Sequence, residues 1–145
     1  MNPNYVKGLT KKDKEKQKAM LQKSTKLYGK QKYYTRKKLS SYHHQPSKHI
    51  IKARKIYDIE SITPNAELAK KTGCSVSALQ QIVKKGEGAY YSSGSRPNQT
   101  PQSWGLARLA SSITAGNASI VDYDILEKGC NHSKKAFMLA KTRHS

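Results

Sequence analysis

The stretch from Gly86 to Trp104, GEGAYYSSGSRPNQTPQSW, most constrains what this chain can build. It separates two segments of helical apolar period, yet has neither a helical nor a strand period of its own. Gly86, Gly88 and Gly94 open backbone angles closed to other residues. Pro97 and Pro101 bias Arg96 and Thr100 toward extended geometry. The stretch therefore reads as an ordered loop anchored by Tyr90, Tyr91 and Trp104. Each of these can bury a ring and still hydrogen-bond at its tip. Arg96 is the loop's one cation.

A loop of this kind needs a core to dock on, and the apolar material is thin. Of 145 residues, 35% are hydrophobic, below the usual globular share. That suits one domain with a modest core. The formal net charge is +19 and it is uneven. Residues 1–49 hold 14 Lys and Arg against 2 acids, and residues 50–145 hold 14 against 7. The division that follows is a basic arm over 1–46, helical or extended, a small helical domain over 47–141, and a tail over 142–145. So positive a field favours an anionic partner: nucleic acid, a phospholipid surface or an acidic protein. No apolar run is long enough to cross a membrane, and the amino terminus lacks the apolar stretch of a secretory signal. Cys74 and Cys130 lie far apart and outside any CxxC. They read as two reduced thiols of a cytosolic or nuclear protein, with no metal site.

Helix signals punctuate the rest. Thr10 and Asp13 form a weak TxxD capping box ahead of Lys11–Tyr28, and Gly29 stops that helix. Ser47 caps a helix over Lys48–Tyr57. Thr63–Pro64 is a start signal and Gly73 a stop. Ser75 opens a further helix with Val76, Leu79, Ile82 and Val83 on its buried side, and Gly86 ends it. Trp104–Thr114, Val121–Glu127 and Ser133–Lys141 complete the set. Residues 121–123 could at most add an edge strand. The expected fold is mostly α: a small bundle of five or six short helices with a helix-turn-helix-like pair, an ordered Gly/Ser/Pro loop and an extended basic arm. Its core is Ile50, Leu68, Val76, Leu79, Ile82, Leu109, Ile113 and Leu126.

The chemistry-bearing residues do not assemble into a catalytic pattern. No nucleophile–base pair, phosphate loop or metal-ligand spacing is present, so no catalytic residue, cofactor or metal is expected. His43, His44 and His49 lack acids or cysteines beside them. Asp122, Asp124 and Glu127 lack the spacing of a calcium loop and suit pairing with basic side chains. Anion contacts fall to Lys30, Lys32, Arg36, Lys37, Lys38, Arg96 and Arg108. The rings of Tyr33, Tyr34 and Tyr42 could stack on bases or enter grooves of a neighbouring protein, and Tyr28 and Leu39 join them as protein-interface residues. A base-reading second helix would present Ser75, Ser77, Ala78, Gln80 and Gln81.

The segments YYTRKKLSSYHHQPSKHIIKARKIYDIESI, ELAKKTGCSVSALQQIVKKG and above all GAYYSSGSRPNQTPQSWG resemble a small uncharacterised domain family of large double-stranded DNA viruses of algae. The resemblance covers roughly residues 28–130. It implies a viral protein, one of the particle. Within that context the expected role is a non-enzymatic minor capsid or cement component whose basic arm bridges larger shell proteins, a major capsid protein among them. Its location would be the virion, and host cytoplasm or nucleus during assembly. The alternative is a protein that binds or packages double-stranded DNA by phosphate contacts without strong sequence specificity. Contact with an inner membrane surface stays open. No functional residue is carried over from the family.

Overall fold

A computed structural model describes residues 2–144 of the protein. Every regular element among them is helical. A 3-10 turn at Pro3–Tyr5 precedes α1 (Lys11–Gly29), α2 (Lys48–Tyr57), α3 (Ala66–Thr72), α4 (Val76–Ser92), α5 (Pro101–Ser112), α6 (Asn117–Val121), α7 (Tyr123–Gly129) and α8 (Lys135–His144). The expected mostly-α bundle is what forms, with one helix more than anticipated because residues 117–121 form α6 ahead of α7. No strand forms at residues 121–123. Helix α8 runs on through residues expected to be tail.

Several helix starts follow their caps. The Asp13 N–H donates to Thr10 Oγ1 at 3.2 Å, Ile50 to Ser47 Oγ at 3.4 Å and Ala78 to Ser75 Oγ at 3.1 Å. Helix α3 begins later than Thr63–Pro64 suggested. Asn65 caps it, accepting the Leu68 N–H at 2.8 Å, while Thr63 Oγ1 accepts from the Asn65 amide. At α5, Thr100 and Ser103 cap each other reciprocally, with Pro101 in the first turn.

The largest departure concerns Gly86. It does not end α4, which continues through Tyr90 and Tyr91 to Ser92, and only residues 93–100 are loop. A Cβ at Gly86 would lie 2.6 Å from the Gly105 Cα. The glycine is there to let α4 and α5 approach backbone to backbone, not to turn the chain. Packing overrides the weak helix propensity of glycine. Of Gly86, Gly88 and Gly94, only Gly94, at φ +100°, uses left-handed backbone.

The chain divides into two units. One comprises the residues up to Gln45 together with Glu87–Trp104; the other comprises Pro46–Gly86 together with the chain from Gly105 onward. The boundaries fall inside α4 and α5. The second unit holds the main apolar core, with Leu68, Leu79, Ile82, Leu109, Ile113 and Leu126 fully buried and Ile50 packed against them. Val76 is only half-buried. Tyr57 is buried there too, its hydroxyl donating to the Ile113 carbonyl, and burial pushes that phenol well above its ordinary range.

Cys74 and Cys130 are joined by a disulfide rather than carried as thiols. Gly73, at φ +81°, turns α3 into α4, and Gly129 ends α7. The two turns meet as an isolated antiparallel bridge, with the Ser75 N–H on the Gly129 carbonyl at 2.8 Å and Asn131 on Gly73 at 2.7 Å. A sequence separation of 56 is no obstacle once two turns pair.

Candidate functional site

The first unit carries 14 Lys and Arg against 3 Asp and Glu, a net +11, and the second 14 against 6, a net +8. Between Glu15 and Asp58 the sequence has no acid at all. The strongest unneutralised surface therefore belongs to the first unit, and its interior explains how that surface is held.

Residues 1–46 were expected as an arm outside the core. The described residues 2–45 instead group with Glu87–Trp104 around Leu9, Leu21, Leu39 and Tyr90, all buried. Arg36, expected at an anion, is the centre of this interior and only 7% exposed. Its guanidinium donates to Ser24 Oγ at 2.9 Å, the Tyr90 carbonyl at 2.8 Å and Ser95 Oγ at 2.8 Å. It also lies over the Tyr90 ring, 3.8 Å from the centroid. Burial lowers its pKa from the ordinary value, opposed by the phenols of Tyr90 and Tyr5. Such a cation is engaged by its own protein and is not free for a phosphate. The arrangement follows from the fork of the guanidinium, which can serve several acceptors at once.

Around this centre α1 supplies polar ties that its composition hid. Gln17 Nε2 donates to the Tyr5 carbonyl at 3.2 Å and Ser24 Oγ to the Tyr91 carbonyl at 3.0 Å. Asp13 does not complete the capping box. Its carboxylate accepts the Ser41 N–H at 3.1 Å and the Ser41 hydroxyl at 2.5 Å, while Ser41 Oγ takes the Thr10 N–H. The Asn98 side chain clamps Leu39, accepting its N–H at 2.7 Å and donating to its carbonyl at 3.2 Å. Leu39 is thus interior, not an external hook. Gln17 and Ser24 sit on the thin face of α1, and spacing alone could mark them only as polar residues in line with Leu21.

The loop anchors are placed within this unit. Tyr90 is fully buried, Tyr91 stacks on Tyr28 and the Trp104 ring meets Tyr5 edge-on at 6.0 Å. The expected interface rings separate into two groups. Tyr28, Tyr33 and Tyr91 cluster: the Tyr33 centroid is 6.1 Å from Tyr28 and 5.1 Å from Tyr91. Tyr33 is 69% exposed and Tyr28 38%. Tyr34 is half-buried with Lys23 Nζ 4.4 Å from its centroid, and Tyr42 is also half-buried. Lys30, Lys32, Lys37, Lys38 and Arg96 are exposed, so five of the seven expected anion contacts remain on the surface.

The remaining one, Arg108, belongs to the second unit and is paired. Its Nε and Nη2 donate to Asp122 at 3.0 and 2.7 Å, and Ser112 Oγ completes the carboxylate at 2.8 Å. The helix-turn-helix-like pair of that unit is real as α3 and α4. Its would-be reading helix is partly covered, though. Ala78 is buried, and a Cβ at Gly129 would lie 2.4 Å from the Ala78 Cβ. Ser75 and Gln81 line a groove with Asp124 and Lys128. With one acid and one base in its lining, that groove offers phosphate no net positive charge. Among the described residues no His, Cys, Asp and Glu cluster could hold a metal, and no helix is long and apolar enough to cross a membrane.

The described residues make a small, strongly basic, all-helical protein that exposes lysines and the Tyr33 ring. The chain belongs to a family of unknown function, DUF5824, whose model matches residues 3–127. No curated protein and no solved structure matches it.

Proposed function

We propose that this protein is a non-enzymatic structural protein of a virus particle, bound to nucleic acid by its lysines without strong sequence specificity. The observation that carries this reading is the +11 first unit, whose surface lysines have almost no carboxylate to pair with. Phosphates are the partner that such a surface recruits most strongly. The non-enzymatic part rests on engagement. Arg36 and Arg108 are held by their own protein, and the two sulfurs are bonded to each other. Residence in a particle is supported by the viral resemblance and by the disulfide, since such bonds persist on virions and outside cells more than in reducing cytosol.

A second reading has its own support. A minor capsid or cement protein seated against a major capsid protein would use exposed rings, and Tyr28 and Tyr33 are such rings. Titration of the purified chain with duplex DNA over a salt series tests the first reading. Affinity falling steeply with salt is the expected outcome. Absence of binding at low salt, with the helical signal intact, would overturn it and leave the shell-protein reading standing.

A further inference from the structure

Resting on that reading, we infer that the Tyr28–Tyr33–Tyr91 cluster is a stacking platform for a single-stranded nucleic acid. Tyr33 is backed by two rings, at 6.1 and 5.1 Å with tilts of 59° and 51°, and is 69% exposed. Tyr28 and Tyr91 are themselves stacked, with planes only 8° apart. A ring held by two others and still open to water offers a fixed π-face. Core packing has no use for that open face. A base has the matching one, and stacking on it tolerates any sequence.

The charge around the platform chooses among apolar occupants. Exposed Lys30 and Lys32 precede Tyr33 in the chain, and exposed Lys37 and Lys38 follow it. Glu87, one turn before Tyr91 on α4, is the single acid near the cluster in sequence. A flexible polyanion that carries aromatic rings fits rings set among cations. A duplex supplies the phosphates but keeps its base faces inside the stack, so only a single strand can use both features.

The test uses the intact oxidised chain with a fluorescent oligothymidylate and a duplex of equal length, each over a salt series. Tighter binding to the single strand is expected, by about tenfold. Tyr33→Ala should lower single-strand affinity about tenfold and leave duplex affinity and the salt slope unchanged, while Tyr33→Phe, which keeps the ring, should bind like the parent. Changing Lys30 and Lys32 to Ala should weaken both ligands and flatten the salt response. Because Tyr33 is so exposed, its loss leaves the interior intact, which a helical circular-dichroism spectrum confirms. Equal binding of the two ligands, or a Tyr33→Ala protein that holds the single strand as well as the parent, overturns the platform while the phosphate-binding reading survives. Failure to bind either ligand overturns both.

Discussion

The Arg36 guanidinium lies over the Tyr90 ring while the Tyr90 hydroxyl accepts the backbone N–H of Arg36 at 2.8 Å. The two residues hold each other at both ends, 54 positions apart in the chain. Arg36→Lys keeps the charge but cannot fork to Ser24, Tyr90 and Ser95, and should cost about 3 kcal/mol in urea unfolding. Tyr90→Phe leaves a buried N–H without its acceptor and should cost about 1–3 kcal/mol. Arg36→Lys keeps the backbone N–H and Tyr90→Phe keeps the ring and the carbonyl, so the two changes remove separate contacts and the double variant should lose close to the sum. A double variant far less destabilised than the sum would show that the hydroxyl contact and the guanidinium contacts do not act separately.

Two glycines of α4 should respond to alanine with opposite signs. At Gly88 the nearest atom to a new Cβ is the Tyr28 hydroxyl oxygen at 3.7 Å, an ordinary contact. Gly88→Ala should therefore stabilise by up to about 1 kcal/mol through helix propensity. At Gly86 the same methyl would meet the Gly105 Cα at 2.6 Å, and backbone cannot step aside cheaply. Gly86→Ala should destabilise by about 1–3 kcal/mol despite its better propensity. Thermal melts of both variants decide the matter. Two gains would mean that α4 and α5 are not in backbone contact.

The Cys74–Cys130 bond closes a long loop between two turns. Chain-entropy reasoning assigns it about 4 kcal/mol against the unfolded state. Reduction, or changing both cysteines to Ser, should lower the urea midpoint accordingly. Thiol titration of the denatured, unreduced protein should find no free sulfhydryl. Two reactive thiols in protein purified without reductant would contradict the bond.

The Ser41 hydroxyl, and then its backbone N–H, hold the Asp13 carboxyl below the ordinary carboxylate range. The unfolded chain thus takes up that proton more readily than the folded one. The sign follows by linkage: this contribution is complete above the ordinary carboxylate pKa and is lost as pH falls through the lower folded value. Ser41→Ala should flatten stability against pH in that acid window and change little near neutrality beyond a constant offset. An unchanged slope would show that Ser41 does not set the Asp13 pKa.

Local signals marked most helix ends because caps and stops act over three or four residues. Thr10, Ser47 and Ser75 did in the structure what their side chains permit, whereas Gly29 is the last residue of α1 and the left-handed turn falls on Gln31. The apolar period likewise picked out Leu68, Leu79, Ile82 and Leu109, since a buried stripe is written at fixed spacing. Tertiary contact decided what depends on residues distant in the chain. Gly86 reads as a stop by itself and becomes a helix crossing only because Gly105 lies against it. Arg36 reads as one more surface cation in a lysine-rich run, and only Ser24, Tyr90 and Ser95 together make burial of its charge tolerable. Cys74 and Cys130 pair because two turns meet. Charge and ring content announced a basic, aromatic protein; which rings stay open to solvent, Tyr33 above all, was settled by how residues 2–45 fold with Glu87–Trp104.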